Sequence, residues 1–171
     1  MFEGWNDFFL MAGSAAAVLI GLIFVVITLM HGRSRESVLA GSRLYMGPIV
    51  LNVSFILALS AAALAPGIGR ISFAAIAVGV ALWGLVRGLI SVAGIRRLGD
   101  EIHWTDIWYY GLIPSALYLA LGLAGVAIWR DWRLADFGLA AVITASLLLA
   151  IRNEWDLITW ISPRPDPPKP D

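Results

Sequence analysis

One arginine inside a long apolar run is the most pointed chemical feature of this 171-residue chain. Arg87 interrupts the stretch Ile71–Ile95, about nine residues before the Arg96-Arg97 pair, which is ~13 Å along a helix. A guanidinium at that depth in hydrocarbon costs at least ~2.5 kcal/mol, so it needs a partner, water or a task. Two readings stay open. Arg87 either reaches along its own stem to the nearer headgroups, or faces the helix interior and holds an anion, a lipid phosphate or an acidic side chain. Trp83, one turn away, can stack on the guanidinium in either case. Asn52 is the second strongly polar residue in an apolar stretch, with Ser54 and Ser60 close by. An amide in lipid must find a partner, so Asn52 either bonds to a neighbouring helix or lines a solute path. Thr28, Thr144 and Ser146 can return their hydroxyls to the preceding helical turn and are given no function.

Other chemistry is thinly represented. His31 and His103 fall near Asp100, Glu101 and Asp106. No H-x-x-x-H metal spacing occurs, and there is no cysteine, so these are expected to be solvated polar residues at a membrane edge. No metal or cofactor is expected. A Gly-rich phosphate loop followed by Lys, a G-x-S-x-G elbow and a pair of intramembrane carboxylates are all missing. Asp136 falls near the outer end of its stretch, and no Asp or Glu lies deep in the first four apolar stretches. That weighs against an enzyme and against a proton-coupled pump.

The elements that would position these residues follow from the solvent the composition demands. The chain is 60% hydrophobic and 14% charged, with a mean hydropathy of +0.82. Typical soluble domains are about 45–50% apolar and about 25% charged. The expected fold is all-α, a polytopic transmembrane helix bundle of about five spans. A span needs ~20 apolar residues. Phe8–Met30, Leu44–Ala65, Ile71–Ile95, Ile107–Trp129 and Leu134–Ile151 qualify or come close. The fifth continues through Arg152–Asp156 into Leu157–Ile161, with Ile151, Trp155 and Ile158 on one face; it either bends onto the surface or extends. Pro66-Gly67 should stop the second helix, and Gly47-Pro48 and Pro114 should start or kink theirs. Residues 1–161 read as one transmembrane domain, and 162–171, with five prolines, as an extended tail. The leader carries Glu3 and Asp7 and no basic residue, so the first helix is expected to be retained rather than cleaved as a signal.

Basic residues set orientation. Arg33, Arg35, Arg43, Arg96, Arg97, Arg152, Arg164 and Lys169 fall on one side, and Arg70, Arg130 and Arg133 on the other. The N-terminus is therefore expected outside and the C-terminus in the cytoplasm. Trp5, Trp129 and Trp132 then sit at the outer edge, and Tyr45, Trp104, Trp108, Tyr109, Trp155 and Trp160 at the inner edge, as interfacial aromatics do.

Small residues four apart let helices approach closely in lipid. Gly13, Ala17 and Gly21 make such a strip on the first helix. Ser54, Ala58 and Ala62 repeat the pattern on the second, and two pairs do so on the third, Ala75 with Gly79 and then Gly84 with Gly88. Ala116, Ala120 and Ala124 do so on the fourth, near Gly122 and Gly125, and Gly138, Ala141 and Ala145 more loosely on the fifth. These strips serve packing within one subunit or, through the first helix, an oligomer. The first span, from Gly13 to Leu29, and the Arg-rich loop after it resemble the opening of small bacterial multi-pass inner-membrane proteins of unassigned function. Some of those are labelled modulators of a membrane-bound ATP-dependent protease. The resemblance implies a bacterial inner-membrane location and carries over no catalytic residue. The expected partners are the lipid bilayer and a second copy or another membrane protein, with no nucleic acid, since twelve basic residues balance twelve acidic ones. The leading expectation is a non-enzymatic protein acting through helix–helix contacts. The alternative is a small channel or transporter with an anion or solute path beside Arg87 and Asn52.

Overall fold

A computed structural model describes residues 2–29, 46–97 and 108–161. All regular structure among them is helical. The helices are α1 (Asn6–Leu29), α2 (Gly47–Leu64), α3 (Arg70–Arg97), α4 (Ile113–Trp129) and α5 (Ala135–Ile161), with a π-helical turn, Trp108–Leu112, leading into α4. Five stretches are long and apolar enough to cross a membrane: Asn6–Thr28, Gly47–Leu64, Arg70–Ile90, Trp108–Trp129 and Ala135–Thr159. The Arg-rich loop, the histidines with their acidic neighbours, and the proline-rich tail fall outside the described residues.

α1 packs along α2, and α3 along α4, more extensively than any other pair, and α5 lies against both hairpins. The sequence explains the seams. On α1 the buried face is Phe9, Ala12, Ala16, Leu19, Ile23 and Val26, a three-and-four spacing that keeps one stripe turned inward. α2 answers with Ile49, Val53, Ile56 and Leu59. The rings of Phe2 and Phe9 meet edge-on at 4.9 Å, and those of Phe2 and Phe73 at 4.8 Å, so the N-terminal residues tie the start of α3 to α1. Trp5 meets Phe137 of α5 at the same end, centroids 5.0 Å apart.

The breaks have local causes. Pro48 sits in the first turn of α2 and Pro114 in that of α4, where a missing N–H costs least. Before Pro114 the backbone widens into the π-helical turn, which relieves the clash a proline ring makes with the carbonyl four residues back. Ser115 Oγ donates to the Gly111 carbonyl at 2.7 Å there. Gly67, with φ of 74°, makes the turn after α2.

α4 ends in a six-residue reversal. Trp132 N donates to Ala127 O at 3.0 Å and Asp131 N to Ile128 O at 3.1 Å, with Asp131 left-handed at φ 58°. Glycine is the usual occupant of that position. Here a carboxylate holds it and meets Arg70 of α3 at 2.7 Å on the exposed surface. Asp131→Gly should leave stability nearly unchanged, because relief of the left-handed cost (~1 kcal/mol) offsets loss of an exposed ion pair worth less than ~1 kcal/mol. Asp131→Val should lower it by about 1–2 kcal/mol. Thermal unfolding of the two variants in one detergent checks the difference.

α5 does not stop at Ile151. It runs unbroken for 27 residues, because its inward stripe continues through Ala150, Asn153, Glu154 and Leu157. Arg152 and Asp156, one turn apart, also pair at 2.8 Å.

A cleft between the hairpins at Arg87 and Asn52

Where the two hairpins meet, α2 and α3 touch only lightly. A cleft of about 250 Å³ opens there, walled by α2, α3, the start of α4 and α5. Asn52 and Phe55 of α2, Gly84 and Arg87 of α3, Tyr118 of α4 and Asn153 of α5 all line it. Arg87 and Asn52, far apart in sequence, thus face one space.

Glycines shape the cleft. The Tyr118 ring occupies the position a side chain on Gly84 would fill, and Ser115 comes close to the equivalent position on Gly88, 2.5 Å away. Farther along the same seam, Gly125 faces Val78 and Ala77, and Gly122 faces Ala81. The α3–α4 backbones approach closely on this row, which pulls Tyr118 down over α3. Phe55 then meets Trp83 edge-on at 5.3 Å and Tyr118 at 6.0 Å, closing one end of the space with rings. Trp83 therefore packs on Phe55. Beyond Asn52, Phe55 and Tyr118 lies a second void of only about 10 Å³, bounded by apolar side chains such as Ile56, Leu59 and Leu121, which is room for roughly one water.

The polar wall is partly tied down. Asn52 Nδ2 donates to Ser146 O at 3.0 Å, joining α2 to α5. Asn153 Nδ2 donates to Tyr109 O at 3.4 Å and its Oδ1 accepts from Arg152 at 3.3 Å. The Arg152 guanidinium lies 3.2 Å over the Tyr109 ring. Arg152 is thereby engaged by a ring, an amide and Asp156. Arg87 differs: its side chain is exposed, and it has no hydrogen-bond or ion-pair partner among the described residues. Among the described residues no Asp or Glu lines the cleft. Its chemistry, among those residues, is one guanidinium without a counter-charge, two amides and tyrosine side chains on an otherwise apolar surface.

No family model, curated protein or solved structure matches this chain. The functional reading therefore rests on its own residues.

The other site residues expected from sequence are scattered. Gly13 is half-buried against Ser60 of α2; a side chain there would meet Ser60 Cβ at 3.2 Å. Ala17 and Gly21 point away from the bundle, with open space around Gly21. The strip thus divides between an internal contact at one end and an outward face at the other. Gly79 and Gly138 are likewise outward.

Two inward polar residues, Asn153 and Glu154, lie beyond the apolar stretch that defines the fifth span by composition. Both are about 5% exposed, and Glu154 Oε1 is buried without a hydrogen-bond partner among the described residues. The signal for them is positional: they fall three and four residues after Ala150, on its stripe. Among the described residues no three His, Asp or Glu side chains gather as a metal site would require.

Proposed function

We propose that this chain is a non-enzymatic multi-pass protein of the bacterial inner membrane, with its N-terminus outside and C-terminus cytoplasmic, and that it works as a small transporter or channel that takes hold of an anionic group in the cleft at Arg87 and Asn52. The observation that carries the reading is the convergence of these two residues, one a cation with no ion-pair partner among the described residues, on a single open space. A charge inside a span costs about 2.5–3.5 kcal/mol on insertion scales, and that cost is met most simply by a ligand of opposite sign. The lack of any carboxylate among the described residues of the cleft wall supports an anion over a cation. The five apolar helices support insertion in a membrane, and the basic-residue asymmetry supports the orientation. A reporter fused after Asp171 should read as cytoplasmic; a periplasmic reading reverses the orientation.

The transport reading has a direct test. Proteoliposomes are offered chloride, phosphate and a headgroup-labelled acidic phospholipid. Wild-type protein should move at least one of them faster than empty vesicles do. Arg87→Ala should return that flux to within about twofold of background. Equal movement in empty, wild-type and variant vesicles removes the proposal.

A second reading, an accessory subunit acting through helix contacts, is favoured by the outward position of Ala17 and Gly21 on α1. Most of the other close glycine contacts are spent inside the subunit, on the α3–α4 seam. That is why the cleft ranks first.

A further inference from the structure

We infer that the anion is the phosphate head of an acidic membrane phospholipid, with part of one acyl chain lying in the same cleft. The inference rests on the anion-binding reading and names its ligand class.

Three features converge on it. The first is the division of the wall by chemistry. The polar groups, Arg87, Asn52 and Asn153, share the space with Leu51, Phe55, Ile90 and Leu149. A small hydrated anion would leave that apolar surface facing water. An amphiphile covers it with its chain and meets Arg87 with its head, and a guanidinium offers phosphate two parallel donors.

The second is size and access. About 250 Å³ is below the range of roughly 300–1,000 Å³ in which drug-sized ligands are enclosed. An engineered apolar cavity of about 150 Å³ holds one benzene. The cleft therefore takes a headgroup and a portion of one chain, and leaves the rest outside. Ile90, 60% exposed, and the exposed Arg87 stand on the open side, at the level of an apolar helix surface. A bilayer lipid can keep its remaining chain among other lipids there.

The third is charge. Among the described residues Arg87 is the one charged side chain lining the cleft, and it has no counter-ion among them. One phosphate supplies it without requiring a companion cation. Zwitterionic heads bring their own positive group, for which the described residues of the wall offer no carboxylate.

Binding is measured by native mass spectrometry on the intact protein in detergent, with four probes: phosphatidic acid, phosphatidylcholine of the same chains, phosphatidic acid with six-carbon chains, and glycerol 3-phosphate. The expected order is long-chain phosphatidic acid at least tenfold tighter than each of the other three. Arg87→Gln should erase the preference over phosphatidylcholine while leaving the protein folded, as judged by its thermal midpoint. Leu51→Trp, on the half-buried wall, should weaken long-chain binding more than glycerol 3-phosphate binding. If glycerol 3-phosphate binds as tightly as the long-chain lipid, and depends on Arg87, the lipid assignment is overturned and the anion site stands. A preference for phosphatidic acid that survives Arg87→Gln overturns the assignment too. If none of the four probes binds, both the assignment and the anion reading fall.

Discussion

Gly84→Val should lower the stability of this protein by ~3 kcal/mol, while Gly79→Val on the same helix should cost almost nothing. Both residues are glycines inside α3, so helix propensity changes equally and cancels in the comparison. What differs is the space beside them. A Cβ on Gly79 meets nothing within 4 Å, whereas one on Gly84 clashes with Cδ1, Cε1 and Cγ of the Tyr118 ring. The ring is a rigid body, with Phe55 also packed against it, and the clash falls on ring carbons near its base, so it cannot yield by a rotamer adjustment at its tip. Overpacking of a fitted interior costs about 1–3 kcal/mol, and in lipid the α3–α4 seam depends on close backbone approach. For a chain of this length that is a fall of roughly 6–12 °C in the thermal midpoint, read by tryptophan fluorescence in detergent. The double change Gly84→Val with Tyr118→Ala should recover a large part of the loss, because it empties the position the new side chain needs. A Gly84→Val protein that melts with wild type would mean that α3 and α4 do not meet along this row.

Much of this arrangement can be read from residue order, and the part that cannot has a physical reason. Apolar length and proline placement locate all five helices, since a helix is the cheapest way to satisfy backbone groups away from water. Their inward faces are less legible. Nearly every position on these helices is apolar, so the contrast between a wet face and a dry face, on which periodicity depends, is weak. Small residues mark close approach but do not say which ones are used: Gly84 and Gly88 contact α4, while Gly21 and Gly79 face outward. Arg87 and Asn52 stand out as chemical exceptions in apolar runs, yet their meeting in one cleft depends on how two hairpins are set against each other. Asn153 and Glu154 are hidden for the opposite reason. They sit in a polar segment that looks like the end of a span, and only the unbroken path of α5 turns them inward.

Asn52→Asp should abolish the proposed anion binding more completely than its single-atom difference suggests. In the wild type, Nδ2 donates to Ser146 O at 3.0 Å, which leaves the amide fixed on the wall of the cleft that Arg87 also lines. A carboxylate in its place has no hydrogen to donate, so an oxygen faces the Ser146 carbonyl and the side chain turns toward the guanidinium. Two consequences follow from charge alone. The new carboxylate competes with the ligand for Arg87. It also repels the ligand directly: two like charges ~6 Å apart at an effective dielectric of ~20 interact by about 3 kcal/mol, or roughly 100-fold in affinity. Asn52→Leu removes the hydrogen bond to α5 without adding charge. It should cost about 1 kcal/mol of stability and weaken binding by no more than tenfold. The ordering wild type, then Leu, then Asp, measured on protein whose thermal midpoint shows it folded, is the signature of an anion held beside Asn52. If Asp binds as well as Leu, the ligand does not approach this wall, and Arg87 would have to hold it from the open side alone.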